Sequence, residues 1–186
     1  MTKAGPRFPT LAPEAMTPEQ TEAAEAIMAG PRKSLGGPFN AWLRSPALAD
    51  RLQRVGAYLR FETSLPHRLN EFAILITARH WGAQFEWYAH HRLALQAGLD
   101  PAVATDLAEG RRPAGMKADE TAVYDFCTEL RRDRQVSDAA FAAAKAALGE
   151  QGVVELIAVS GYYDLVSMTL NVAQVPLPDG VEPPLR

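Results

Sequence analysis

The sequence predicts an all-α protein, and three features carry that reading. Apolar residues recur at intervals of three and four in every segment that shows a period, and no segment alternates as a half-buried strand does. Helix-opening signals recur as well: Thr17-Pro18-Glu19-Gln20, Ser45-Pro46, Ser64-Leu65-Pro66, Asp100-Pro101 and Ser137-Asp138 each offer a capping oxygen or a first-turn proline. Gly30, Gly82, Gly98, Gly110 and Gly149 stand where helical segments end.

Residues 1–16 are rich in proline and lack periodicity, so they are expected to form an arm lying on the domain or on a neighbouring subunit. Ordered structure is expected from Thr17. Its hydroxyl and Gln20 make a capping box for a short helix to Met28, which Gly30-Pro31 stops. Arg32 to Pro38, with Gly36-Gly37-Pro38, reads as a loop. Beyond Ser45-Pro46, the spacing of Leu48, Leu52, Val55 and Leu59 predicts one buried helical stripe to about Phe61. The helix after Pro66 is apolar on nearly every side, with Leu69, Phe72, Ala73, Ile74, Leu75, Ile76 and Ala78, and should be mostly buried.

After a break at Gly82, Ala83, Glu86, His90, Leu93, Ala94 and Ala97 share one face of the next helix, and the small residues are expected to leave a cavity beside the His90 ring. A helix from Pro101 to Glu109 and a loop from Arg111 to Lys117 follow. The helix from Ala118 to Arg134 is expected to bury Ala122, Val123, Phe126, Cys127 and Leu130 and to leave Arg131, Arg132, Asp133 and Arg134 to solvent. Asp138 to Leu148 is helical up to Gly149. Val153 to Ala173 is rich in β-branched residues, yet Leu156, Val159, Tyr163, Val166 and Leu170 alternate three and four, so a helix wins over strands. The tail from Val175 carries four prolines and should be extended. The organisation is thus an arm (1–16), a single all-α domain (17–174) and a Pro-rich tail (175–186).

The chain is 47% hydrophobic with a formal charge of −3, enough for a core and without the basic footprint of a nucleic-acid binder. No membrane association is expected, because the start has no apolar leader and Val153 to Ala173 is interrupted by Glu155 and Asp164. A cytoplasmic location follows as the expectation. Cys127 is the single cysteine; it lies on an apolar stripe and reads as inert core.

Chemistry concentrates in Glu71 to Gly98, the one stretch where carboxylates and imidazoles interrupt apolar helical runs. Glu86 and His90, one turn apart, read either as an acid/base pair or as an ordinary surface pair. Glu71 among Ile74, Leu75 and Ala78 is costly to bury alone, so it lies at an exposed helix start or meets a partner such as His90. Trp87, Tyr88, His91 and Tyr163 are candidates for contacting a substrate, although Trp87, His91 and Tyr163 also suit plain packing. Tyr162 and Asn171 are further candidates for the same pocket. Arg60, Arg68, Arg79 and Arg92 flank the central helices and are candidates for holding a carboxylate. Glu-x3-His matches neither the Glu-x-x-His of di-iron bundles nor His-Glu-x-x-His, so no metal is expected.

At these residues the chain resembles the carboxymuconolactone decarboxylase and alkylhydroperoxidase D family. Thiol members of that family carry a Glu, eleven residues, Cys-x-x-Cys, three residues and a His. On this chain those positions are Glu71, Ala83, Glu86 and His90, so both thiols are replaced. Glu86-Trp87-Tyr88-Ala89-His90 with the following Leu-Ala-Leu-x-Ala-Gly-Leu resembles a cysteine-free branch, and the resemblance runs from about Phe39 to Ala173. It implies a helical homo-oligomer, a trimer or hexamer, and a lyase without cofactor acting on a small lactone or carboxylic acid. Glu71, Glu86 and His90 would be catalytic, with His90 donating the proton. The alternatives are a non-catalytic helical oligomer that binds a small molecule or protein partner, and a peroxidase of the same family stripped of its thiol pair.

Overall fold

Eight α-helices build the fold in a computed structural model that describes residues 5–185. They are α1 (Pro18–Ala29), α2 (Phe39–Trp42), α3 (Pro46–Phe61), α4 (His67–Trp81), α5 (Gln84–Gln96), α6 (Pro101–Ala108), α7 (Ala118–Asp133) and α8 (Asp138–Ala173). No strand occurs among the described residues, so the all-α expectation holds. The first four residues of the expected arm, and Arg186, lie outside the described residues.

The central element is α4. Every residue from Leu69 to Ala78 is buried, because α5, α7 and α8 surround the helix and α6 meets one end of it. A helix apolar on all sides has to be wrapped in this way. The polar residues inside it are bonded: the Asn70 amide donates to the Leu59 carbonyl at 2.7 Å, and the Thr77 hydroxyl to the Ala73 carbonyl at 2.9 Å. Gly82 then closes α4 in the left-handed conformation at φ 57°, where an L side chain is disfavoured.

The α3 stripe is corrected. Leu59 is buried as expected and Leu52 partly so, but Leu48 and Val55 are exposed, and Ala49 and Gly56 take their places on the buried line. Small residues allow the backbone of α3 to approach α1 and α8, and close approach outweighs the larger side chains one position away. The clearest case is Gly56, where a Cβ would collide with the Tyr162 hydroxyl and the Arg32 guanidinium.

Arg131, expected in solvent, is turned inward. Its side chain is 7% exposed, donates to the Thr77 hydroxyl and the Cys127 carbonyl, and lies 3.4 Å from Asp164. Arg132, Asp133 and Arg134 are exposed as expected, and Leu130 is only half-buried. Two short elements escaped the periodicity, α2 and a 3-10 turn at Pro13–Ala15, since four and three residues are too few to show a period. Helix α8 is interrupted at Gly149 (φ 71°, ψ 175°), the expected end of its first segment.

Residues 5–16 of the arm lie on their own domain: the Arg7 amide donates to Ala173, and Asn40 bonds the arm at Phe8 and Leu11. The tail docks likewise. Leu185 is buried, and its backbone exchanges two 2.9 Å hydrogen bonds with the Gln84 amide. Among the described residues, Asp138–Ala173 is the one helix long and apolar enough to cross a membrane. Its apolarity serves the interior in part, since Val153, Leu156, Val159, Tyr163, Val166 and Leu170 belong to the core.

Glu155 ties α8 to the α3–α4 connection. Its carboxylate accepts from the Tyr58 hydroxyl (2.5 Å), the Ser64 hydroxyl (2.6 Å) and amide (2.8 Å), and the Gln151 amide (3.0 Å). Burial alone would raise its pKa, but these donors favour the charged form and hold it down at about 2. Glu155→Ala is expected to cost about 2 kcal/mol in urea denaturation, the scale of a lost charge-assisted hydrogen bond with its partners re-solvated at the rim. An unchanged midpoint would show that the tie is idle.

Candidate functional site

His90 sits where α4, α5 and α8 meet, and two carboxylates flank its ring. Glu71 Oε2 lies 2.6 Å from Nδ1, and Glu86 Oε1 lies 3.0 Å from Nε2. All three groups are at most 5% exposed. The Glu71 contact is a formed hydrogen bond; the Glu86 oxygen lies off the line of the ring N–H, making an ion pair without a hydrogen bond. Glu71 thus reaches His90 from α4 rather than lying at an exposed helix start, and His67 approaches its other oxygen only to 4.0 Å.

Electrostatics decide the state of the ring. Burial opposes charging it, but the Glu86 charge, the Glu71 hydrogen bond and the remaining contributions of these two carboxylates outweigh that penalty and push the pKa up to about 9. His90 is therefore an imidazolium at neutral pH.

The ring borders a cavity of about 210 Å3 whose walls come from the loop before α2, from α3, α5 and α8. Arg32, Ser34, Phe39, Arg60, Phe85, Glu86, Ala89, Tyr162, Tyr163 and Val166 line it with His90. The cavity is not the one expected beside Ala83 and Ala94, which are fully buried in packing. Four polar atoms of its lining residues are shielded from water without a hydrogen-bond partner: Arg32 Nε and Nη2, Glu86 Oε1 and the Tyr163 hydroxyl. Buried polar atoms are seldom left so, and all four belong to residues that line this one cavity. Of the larger hollows, those of about 380 Å3 under the arm and about 370 Å3 beside α6 and α7 are lined by no carboxylate, and one of about 360 Å3 between α1 and α3 has Glu19, Glu22, Asp50 and Arg54 in its walls, with Arg54 already paired to Asp50.

Of the residues expected to contact a substrate, Tyr163 lines the cavity, its ring edge-on to His90 at 5.3 Å, and burial pushes its phenol well above the usual pKa. Tyr162 also lines it and donates to the Leu52 carbonyl at 3.1 Å. Trp87, Tyr88 and His91 do not reach it. A helix turns about 100° per residue, so these positions leave the Glu86/His90 face. Trp87 stacks on His91 at 5.8 Å, and Tyr88 is exposed. Asn171 instead caps α4 by donating to the Trp81 carbonyl.

Among the arginines named from sequence, only Arg60 lines the cavity. Arg68 is held by Asp119 and Glu120, Arg79 lies in the hollow beside α6 and α7, and Arg92 is exposed. Arg32 was missed, because a loop arginine carries no periodic signal. The Gly36-Gly37-Pro38 run beside it was the available hint: Gly37 has φ 65°, and a Cβ there would touch Phe85. Cys127 is fully buried beside Ser160, and burial raises its thiol pKa.

Compared with known proteins, the chain matches no protein-family model and no curated protein.

Proposed function

We propose that the chain is a carboxymuconolactone decarboxylase-like protein, a cofactor-independent lyase acting on a small lactone or carboxylic acid by proton transfer in the His90 cavity. The observation that carries this reading is the His90 ring flanked by two buried carboxylates at the wall of a cavity whose lining residues hold unsatisfied polar atoms. Glu71 orients the ring through Nδ1, so Nε2–H is the donor that can reach a substrate carbon. Glu86 Oε1, without a hydrogen bond of its own, is placed to take a proton or to face the developing charge. The Tyr163 phenol, kept protonated by burial, can donate to an enolate-like oxygen.

A panel of compounds tests this without a known substrate. Small lactones and carboxylic acids are incubated in deuterated buffer, and deuterium uptake at carbon and release of CO2 are followed by NMR. Turnover or exchange that depends on His90 supports the reading. A panel that shows neither leaves a small-molecule-binding oligomer as the better account, since the cavity would still need an occupant.

The same reading includes assembly into a trimer or hexamer. Its support is an exposed stripe on α8, Val154, Ile157, Ala158, Gly161, Met168 and Val172, apolar over five turns and reaching 66% exposure at Val154. Such a stripe is the pattern of a helix awaiting a partner helix. Light scattering is expected to show an oligomer that Ile157→Glu dissociates. A wild-type monomer at micromolar concentration would remove this part of the proposal.

A further inference from the structure

We propose that Arg32 and Arg60 form the carboxylate-binding wall of the His90 cavity, which selects a small monoanion with its acid group held between the two guanidiniums. The inference rests on the cavity being the site of proton transfer and adds the class of molecule it takes.

Arg32 comes from the loop before α2, with its guanidinium 5.3 Å from the centre of the Phe39 ring. Its Nε and Nη2 are shielded from water and unpartnered. A guanidinium cannot shed its proton to escape that position, and its planar fork of donors matches the two oxygens of a carboxylate. Gly56 creates the space, since a Cβ there would collide with Arg32. Arg60 lies one turn beyond Gly56 on the same face of α3, and both arginines line the cavity. Its guanidinium rests on Phe61 at 5.1 Å and joins no ion pair among the described residues. Two like charges facing one cavity are eased by an anion between them.

Charge and size narrow the choice. The cavity gathers three cations, Arg32, Arg60 and His90, against the carboxylates of Glu71 and Glu86, which leaves one positive charge to balance. A monoanion balances it, a dianion overshoots, and a neutral molecule leaves the arginine donors unmet. A volume of about 210 Å3 holds about seven water-sized groups. With Phe39 and Phe85 in the walls, that is the scale of a single-ring acid.

The experiment is calorimetric titration at neutral pH with benzoate, its neutral counterpart benzamide and the dianion phthalate. Wild type is expected to bind benzoate saturably, benzamide at least tenfold more weakly, and phthalate no more tightly than benzoate. Arg32→Met and Arg60→Met, checked for helicity by circular dichroism, should each weaken benzoate about tenfold or more. Arg32→Lys, which keeps the charge and loses the fork, should fall between. Absent benzoate binding, equal binding of benzoate and benzamide, tighter phthalate binding, or unchanged benzoate affinity in both methionine variants would overturn the proposal. Charge-selective binding without deuterium exchange would leave the arginine wall standing and sink the lyase reading; exchange with charge-blind binding would do the reverse.

Discussion

His90→Asn is expected to lower stability at neutral pH by about 3–5 kcal/mol and turnover by about 10²-fold or more. The first effect comes from the carboxylates. Glu71 and Glu86 are 1% and 3% exposed, and the imidazolium is the positive charge that both of them touch. Asparagine offers Glu71 a hydrogen bond and no charge, so two buried anions are left facing each other. The burial of all three groups makes His90 a structural residue as well as a chemical one. Structural and chemical roles are separable by adding Glu71→Gln and Glu86→Gln, which removes the stranded charge. That triple variant should regain most of the melting temperature and none of the turnover. A single variant with wild-type melting temperature and full activity would end both assignments for His90.

Stability should fall by on the order of 3 kcal/mol as pH rises from about 6.5 to about 9, the window set by the ordinary and the folded pKa of His90. The folded protein holds this proton more tightly than the unfolded chain. Its contribution is therefore complete below about 6.5 and lost as pH climbs through about 9. Glu155 works in the opposite direction and elsewhere, its contribution being present above 4.5 and lost as pH falls through about 2. Urea midpoints across the alkaline window measure the effect directly, with the triple variant as the control that should stay flat. If wild type is equally flat, the imidazolium between two carboxylates is not the state of the folded protein. Turnover that uses His90 as the acid should decline over the same upper limb.

Most of the helices could be read from the chain because their causes are local. The capping oxygen of Thr17, the first-turn prolines and the closing glycines act within a turn or two of their own positions. Ten consecutive buried residues in α4 follow from a run with no polar face. Glu86 and His90 were also legible, since one turn of helix fixes their spacing. Where the reading failed, the deciding contact lay far along the chain: Gly56 against Tyr162 rotated the buried face of α3, and Asp164 with Thr77 drew Arg131 inward.

By itself the sequence determined the all-α class, most of the helix limits and the stretch in which Glu71, Glu86 and His90 occur. Only the tertiary structure decided that Glu71 closes on His90 from a neighbouring helix, and that Arg32, Arg60, Tyr162 and Tyr163 share the cavity while Trp87, Tyr88 and His91 do not. The reason is the range of the forces involved. Helix formation is settled by residues three and four apart, whereas a cavity is what remains between elements once each has buried its best face.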